Sequence, residues 1–245
     1  MKYMGSKSRI AKHIVPIIQS YINENTTSYI EPFVGGANVI DKIKCNDKIG
    51  SDYNKYLIAL LNRIRDGELL LDEVPRELYN DVRANKDNGK YEDWMVGNVG
   101  FLASYNGRWF DGGYAKSGYE KTKKGERFRD YYQEAKRNVL KQSPDLSGTT
   151  FKYMDYRDWV DKDLNNCVIY CDPPYENTKQ YANALSFDYV EYWNIMRELS
   201  KNNVVLISEE NAPSDFICIW EQEVSRSIKA NDKSKSVEKL FTLNK

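Results

Sequence analysis

This chain is poor in the residues that usually hold metals or do covalent chemistry. Of its 245 residues one is histidine, His13, and four are cysteines, Cys45, Cys167, Cys171 and Cys218, scattered and with no Cys-x-x-Cys among them. That spacing argues against a structural zinc site or a disulfide framework. Cys171 precedes a chemically suggestive loop, but it sits inside an apolar run and reads as a structural thiol. No Pro-Cys dipeptide, the nucleophile pattern of cytosine C5 methylation, occurs anywhere. His13 falls in an Ile10, Ile14, Ile17, Ile18, Tyr21 pattern, and reads as a residue on the face of an amphipathic helix rather than as a base. No apolar run reaches about 18 residues and no basic-then-apolar leader opens the chain, so the expectation is a soluble, cytoplasmic protein with no membrane partner and no metal. A Gly-x-Gly-x-x-Gly fingerprint is missing as well, which removes the usual dinucleotide cradle.

Net charge is also absent: 36 Lys and Arg are balanced by 36 Asp and Glu. Phosphate contacts draw on Lys and Arg, so a neutral chain is an unpromising nucleic-acid binder unless its charge is unevenly placed. It is uneven. Between Lys116 and Lys141 nine basic residues stand against four acidic ones, and Lys116, Arg127 and Arg129 are candidate phosphate contacts, whereas the stretch from Asp66 to Glu92 is more acidic.

What is present is concentrated in three places. The run Asn166 to Tyr175 reads as a buried strand stopped by Asp172-Pro173-Pro174-Tyr175, where the prolines fix the backbone at the strand's carboxyl end. Open α/β sheets bind ligands at that end, and a carboxylate, a carbonyl and an aromatic ring together suit a planar base bearing an amino group. A tight proline turn with a packed tyrosine is the plainer alternative. Upstream, Ser28 to Gly36 reads as a short strand entering a glycine turn, at Glu31-Pro32-Phe33-Val34-Gly35-Gly36, followed by an apolar, helix-like segment. A second strand, Asp47 to Asp52, ends in an acid 16 residues after Gly36, where nucleotide-type folds hold ribose hydroxyls.

Strand candidates resume after residue 149 at Thr149 to Tyr153, Cys167 to Cys171, Val204 to Ser208, Phe216 to Trp220 and Val237 to Leu243, with helices from Tyr53 to Arg65 and near Phe187 to Ser200. The alternation predicts an α/β fold: a mostly parallel sheet covered on both faces, its last two strands an antiparallel edge hairpin. Between about Gly67 and Ser147 no strand rhythm is visible and the pattern is helical and polar. Tyr105-Asn106-Gly107-Arg108 is its sharpest feature, an Asn-Gly pair that favours a tight turn or hairpin. Such a tip can offer Tyr105 as a wedge between bases and Arg108 to a guanine edge, or be a plain turn with a packed ring.

In this order, and with Tyr3-Met4-Gly5-Ser6-Lys7, Asp155-Tyr156 and Glu238-Lys239-Leu240-Phe241 added, the chain resembles the Dam-like D12-class (alpha-group) DNA adenine N6-methyltransferases over almost its whole length. The resemblance implies a Rossmann-like, S-adenosylmethionine-dependent catalytic domain split into residues 1–66 and 148–245, with a target-recognition domain at 67–147. It implies double-stranded DNA as partner, a monomer, and methyl transfer to a flipped-out adenine. The cofactor's amino-acid end is placed near Tyr3, Lys7, Phe33, Gly35 and Gly36, its ribose on Asp52, and its adenine near Asp155 and Tyr156. Asp172, Pro173, Pro174 and Tyr175 become the catalytic loop, with Asp172 also facing the cofactor, and Tyr105, Asn106 and Arg108 the DNA readers. Arg108 follows Gly107 directly, whereas better-known recognition tips carry their basic residue later; GATC is the family's default target. The Lys229 to Lys239 loop is a further phosphate-contact candidate. Two other readings are an RNA or protein methyltransferase on this fold, whose relatives tend to have asparagine where Asp172 stands, and a DNA-binding module without activity.

Overall fold

The structure, a computed structural model, describes residues 1–122, 125–175, 187–225 and 235–244. Lys123 and Lys124 of the basic stretch, and the Lys229 to Lys239 loop as far as residue 234, lie outside the described residues.

A first helix, α1 (Ala11–Ser20), buries Ile14 and Ile18 and precedes strands β1 (Tyr29–Glu31) and β2 (Lys48–Asp52). Helix α2 (Lys55–Arg65) is started by Asn54, whose side chain accepts from the Tyr56 and Leu57 amides. Its i, i+3, i+4 pattern puts Leu57, Leu60, Leu61 and Ile64 fully inside, each buried leucine contributing about 2 kcal/mol. Then come α3 (Arg76–Asn85), α4 (Asp93–Gly97) continued by a wider turn to Leu102, β3 (Gly118–Thr122), β4 (Gly125–Arg129) and α5 (Tyr131–Gln142). The chain closes with β5 (Thr149–Tyr153), β6 (Val168–Cys171), α6 (Tyr189–Leu199), β7 (Val204–Glu209), β8 (Phe216–Ser225) and β9 (Lys235–Leu243).

Seven strands form one sheet in the order β5-β2-β1-β6-β7-β9-β8. The first five are parallel, and β9 pairs antiparallel with both β7 and β8, so the expected α/β sheet with an antiparallel edge hairpin is what forms. Strand alternation divides the core. Tyr170 and Leu206 pack on one face with residues of α1, α2 and α5, and Ile169, Cys171 and Ile207 on the other with Tyr192 and Met196 of α6. The elements between β2 and β5 add no strand to this sheet, yet Val82, Val96, Phe101 and Val139 join the same apolar cluster as α2.

One local expectation needs correction. The segment after Gly36 is not a helix: it makes a single 3-10 turn, Ile40–Lys42, because Ala37 sits at φ 54, in the left-handed region, and interrupts any continuous coil. Its apolar residues, Val39, Ile40 and Ile43, are nonetheless buried. The stretch 67–147 is mainly helical, and it carries besides a separate antiparallel hairpin, β3 and β4, joined by the Tyr119 and Phe128 rings, 5.4 Å apart.

Candidate active site

Because β1, β2 and β6 run parallel, Glu31, Asp52 and the chain following Cys171 come out at the same edge of the sheet. At that edge Lys7 reaches in from the turn Lys7–Arg9. Its side chain is only 8% exposed, and its Nζ lies 2.8 Å from Asp172 Oδ1 and 3.6 Å from Glu238 Oε2. The same Nζ stands 4.4 Å from the centre of the Tyr175 ring. Tyr175 Oη donates to Glu238 Oε2 at 2.8 Å, closing a ring of contacts among the amino-terminal segment, the Asp172 to Tyr175 loop and β9. Read without the family resemblance, Tyr3 and Lys7 would have been an ordinary amino-terminal tail; instead Lys7 is among the most buried cations of the chain.

Burial pushes the Asp172 carboxyl up from its usual range; Lys7 offsets part of that rise and Glu238 adds to it. For Lys7, burial works against the ammonium, but Asp172 and Glu238 outweigh it and hold the group above an ordinary lysine. Asp172 and Lys7 thus form a close buried pair at this edge, in which Lys7 favours the carboxylate and burial opposes it. Beside it, Pro174 O accepts from Tyr189 Oη at 2.7 Å, while among the described residues nothing donates to the Pro173 carbonyl.

The glycine turn and Asp52 make the adjoining half of the site. Gly35 sits at φ 46, and its amide donates to Asp52 Oδ2 at 3.2 Å, while Asn54 N donates to Oδ1 at 3.0 Å. Asp52 is buried and has no ion-pair partner among the described residues, so burial lifts it to about 6 against those backbone donors. A Cβ on Gly36 would come within 2.6 Å of Asn38 Nδ2 and 2.8 Å of Tyr3 Cβ, so the small residue is demanded by the packing of Tyr3 over the turn. Phe33 packs on Tyr156 with centroids 5.1 Å apart, and Phe187 and Tyr192 complete this aromatic group. Asp155 caps the turn Tyr156–Trp159 and pairs with Arg157, whose hydrogen bonds hold its carboxyl below the usual range.

The candidate DNA readers flank Gly107, which packs against the backbone of Lys2 and Tyr3 in the amino-terminal segment. Tyr105, Asn106 and Arg108 are exposed on a turn, Tyr105–Gly107, with Asn106 at φ 56, and the Ser104 to Tyr114 bridge closes the loop's base. Lys116 and Arg127 are exposed, Arg127 with Glu120 at 3.4 Å. Arg129 is differently engaged: its guanidinium meets Glu134 through two hydrogen bonds, at 2.7 and 2.9 Å, and tethers β4 to α5. The four thiols are free, and Cys171 is buried with Sγ 3.5 Å from Met196 Sδ.

Two acids at this edge had no role in the sequence reading. Glu238 stood in the Glu-Lys-Leu-Phe motif, with only that motif to mark it. Glu209 ends β7 as Asp52 ends β2, so the same signal, an acid closing an apolar strand, was available. It is 5% exposed, its Oε2 has no hydrogen-bond partner among the described residues, and burial raises it to about 7.

Residues 3–211 match the family model of D12 class N6 adenine-specific DNA methyltransferases. This chain belongs to that family. As a member it is an adenine-specific DNA methyltransferase. A curated relative, the type II methyltransferase M.MjaIII of Methanocaldococcus jannaschii, is 26% identical over 252 residues, spanning 88% of this chain and 85% of the relative. Among solved structures, a conserved hypothetical protein of Streptococcus pyogenes aligns with 94% of the methyltransferase and 93% of its own chain, at 9% identity and a TM-score of 0.38. The rRNA methyltransferase aviRa of Streptomyces viridochromogenes aligns with 99% and 86%, at 8% identity and 0.43. No helix of the described residues is long and apolar enough to cross a membrane.

Proposed function

We propose that this methyltransferase transfers a methyl group from S-adenosylmethionine to N6 of an adenine flipped out of double-stranded DNA. The observation that carries the reading is the pairing of Asp172, held by Lys7, with the Pro173 carbonyl, to which none of the described residues donates, at the carboxyl end of β6.

The N6 lone pair of adenine is delocalised into the ring and weakly nucleophilic. Asp172 accepts one N6 hydrogen and the Pro173 carbonyl the other, which draws the nitrogen toward tetrahedral geometry and frees the lone pair. This is positioning plus electrostatic stabilisation. Lys7 keeps Asp172 an acceptor, and the proton released from N6 passes to that carboxylate. Tyr175 stacks on the base and offsets part of the few kcal/mol of unstacking that flipping costs.

The residues present fit the cofactor. Asp52 is a buried carboxylate served by amides and by no cation, the setting that ribose hydroxyls complete, and the Phe33 and Tyr156 rings offer an aromatic wall to an adenine. Lys7, Tyr3, Gly35 and Gly36 line its amino-acid end, and Asp155 stands beside Tyr156. When bound, S-adenosylmethionine supplies the methyl group, its carbon–sulfur bond breaking with the electron pair left on sulfur as the N6–carbon bond forms.

In this reading residues 67–147 recognise the target. The exposed Tyr105, Asn106 and Arg108 meet the bases, and Lys116 and Arg127 the phosphates, with Arg129 supporting the hairpin. The test offers tritiated S-adenosylmethionine with unmethylated duplex DNA, ribosomal RNA or whole-cell protein. Label recovered as N6-methyldeoxyadenosine supports the reading. Label confined to RNA or protein, or cofactor binding with no transfer, replaces it with one of the other two.

A further inference from the structure

The geometry points to Glu238 as a positioning residue for the transfer step: its carboxylate fixes the Tyr175 ring by the hydroxyl and sets the charge balance between Lys7 and Asp172. The inference rests on the reading of this edge as an adenine N6-methylating centre.

Glu238 arrives there through the antiparallel placement of β9. Glu209 at the end of β7 pairs with Lys239, so Glu238 projects just beyond it, over the carboxyl ends of the central strands. It lies on the same face as Leu240, two residues on, and so on the face where Tyr170 Oη meets Ser208 Oγ at 2.8 Å. One oxygen, Oε2, accepts from Tyr175 Oη at 2.8 Å and stands 3.6 Å from Lys7 Nζ. Tyr175 is 7% exposed, and pinning its hydroxyl holds the plane of the ring on which the base stacks. The Lys7 ammonium is shared between two carboxylates.

Among the described residues Lys7 from the first turn and Glu238 from β9 are the charged groups that shift Asp172, and the charge of Asp172 in turn bears on Glu31 from β1, Tyr170, Cys171 and Tyr175 from β6 and its loop, Glu209 from β7 and Tyr192 from α6. Lys7 is the cation of this group. Glu238 raises the proton affinity of Asp172, so its removal lets Asp172 ionise at lower pH.

The test measures single-turnover methyl transfer into duplex DNA across pH, at saturating cofactor, for wild type, Glu238→Ala, Glu238→Gln, Tyr175→Phe and the Glu238→Ala, Tyr175→Phe pair. Cofactor affinity is read separately by calorimetry, and folding by circular dichroism. Glu238→Ala lowers the plateau rate by about tenfold to a hundredfold, and adding Tyr175→Phe lowers it no further, because both remove the same restraint. Glu238→Gln keeps an oxygen for the tyrosine hydroxyl and regains most of the plateau. Having lost the charge, it moves the acid limb of the rate profile to lower pH. Should the two losses multiply independently, or the glutamine variant leave the acid limb unmoved, Glu238 is a framework residue only. Absence of DNA methylation by the wild type overturns the reading of the site as well, which separates that failure from the failure of Glu238.

Discussion

Replacing Lys7 by methionine isolates the electrostatic core of the site. The two side chains have similar length, so the packing of the stem is kept while the charge 2.8 Å from Asp172 Oδ1 is removed. At that distance, and an effective dielectric of about 20, the direct attraction is about 6 kcal/mol. Much of it is offset by the cost of burying Lys7 itself, and carboxylates beside a cation are typically held down by about one to three pH units. Asp172 is already raised by burial and by Glu238, so losing Lys7 leaves no charged neighbour among the described residues that favours the ionised form. The sign is definite: Asp172 must be ionised to accept from N6, so the acid limb of the single-turnover profile moves to higher pH. Below the wild-type limb the variant is slower by about tenfold to a thousandfold, the factor set by losing a neighbouring cation, and the difference shrinks as the pH is raised. Quench-flow with labelled cofactor at saturation, over the range in which both proteins stay folded, measures this directly. An acid limb that stays where it is in wild type, or a loss equal at every pH, would show that Lys7 does not act by keeping Asp172 ionised.

Asp172→Ala removes the acceptor itself; transfer should fall by at least about a thousandfold while cofactor affinity, read by calorimetry, changes by less than about tenfold. Glu209→Gln should stabilise the protein at pH 8. Its folded value of about 7, above the 4.5 of a free glutamate, makes the protonated form the favoured one, and this contribution is full below about 4.5 and lost as pH rises through 7. The difference in unfolding free energy between variant and wild type is then up to about 3 kcal/mol at pH 8 and near zero at pH 4.5, checked by urea titration at both. Arg108→Ala should relax discrimination at one base position, at a cost of about 1 to 3 kcal/mol, with cofactor affinity and melting temperature unchanged; modified-site sequencing and calorimetry read the two separately.

The frame of the fold was legible because its strands carry contrast. Val168 to Cys171 and Val204 to Ile207 are apolar runs that end at acids or prolines, and parallel strands buried on both faces look like that. The hairpin of β3 and β4 was not legible. Its residues, from Gly118 to Thr122 and Gly125 to Arg129, are half of them charged and most of them exposed, so no alternation marks it. The segment after Gly36 misled for the opposite reason: Val39, Ile40 and Ile43 supply helical spacing and are buried, yet a left-handed Ala37 decides the backbone. In the site, Asp172 and Tyr175 stand out in sequence because prolines frame them. The contacts of Lys7 do not, since a lysine in a polar segment gives no sign that residues from β6 and β9 enclose it. Nor does anything local show that Arg129 is tied to Glu134 rather than free for phosphate.

The central claim is that Asp172 and the Pro173 carbonyl prepare an adenine amino group in DNA for methylation. It is tested most directly by single-molecule sequencing of unmethylated genomic DNA after incubation with S-adenosylmethionine and either wild type or Asp172→Ala. The account predicts N6-methyladenine at one recurring motif with wild type and none with the variant. Equal modification by both proteins, or modification of a base other than adenine, would contradict it.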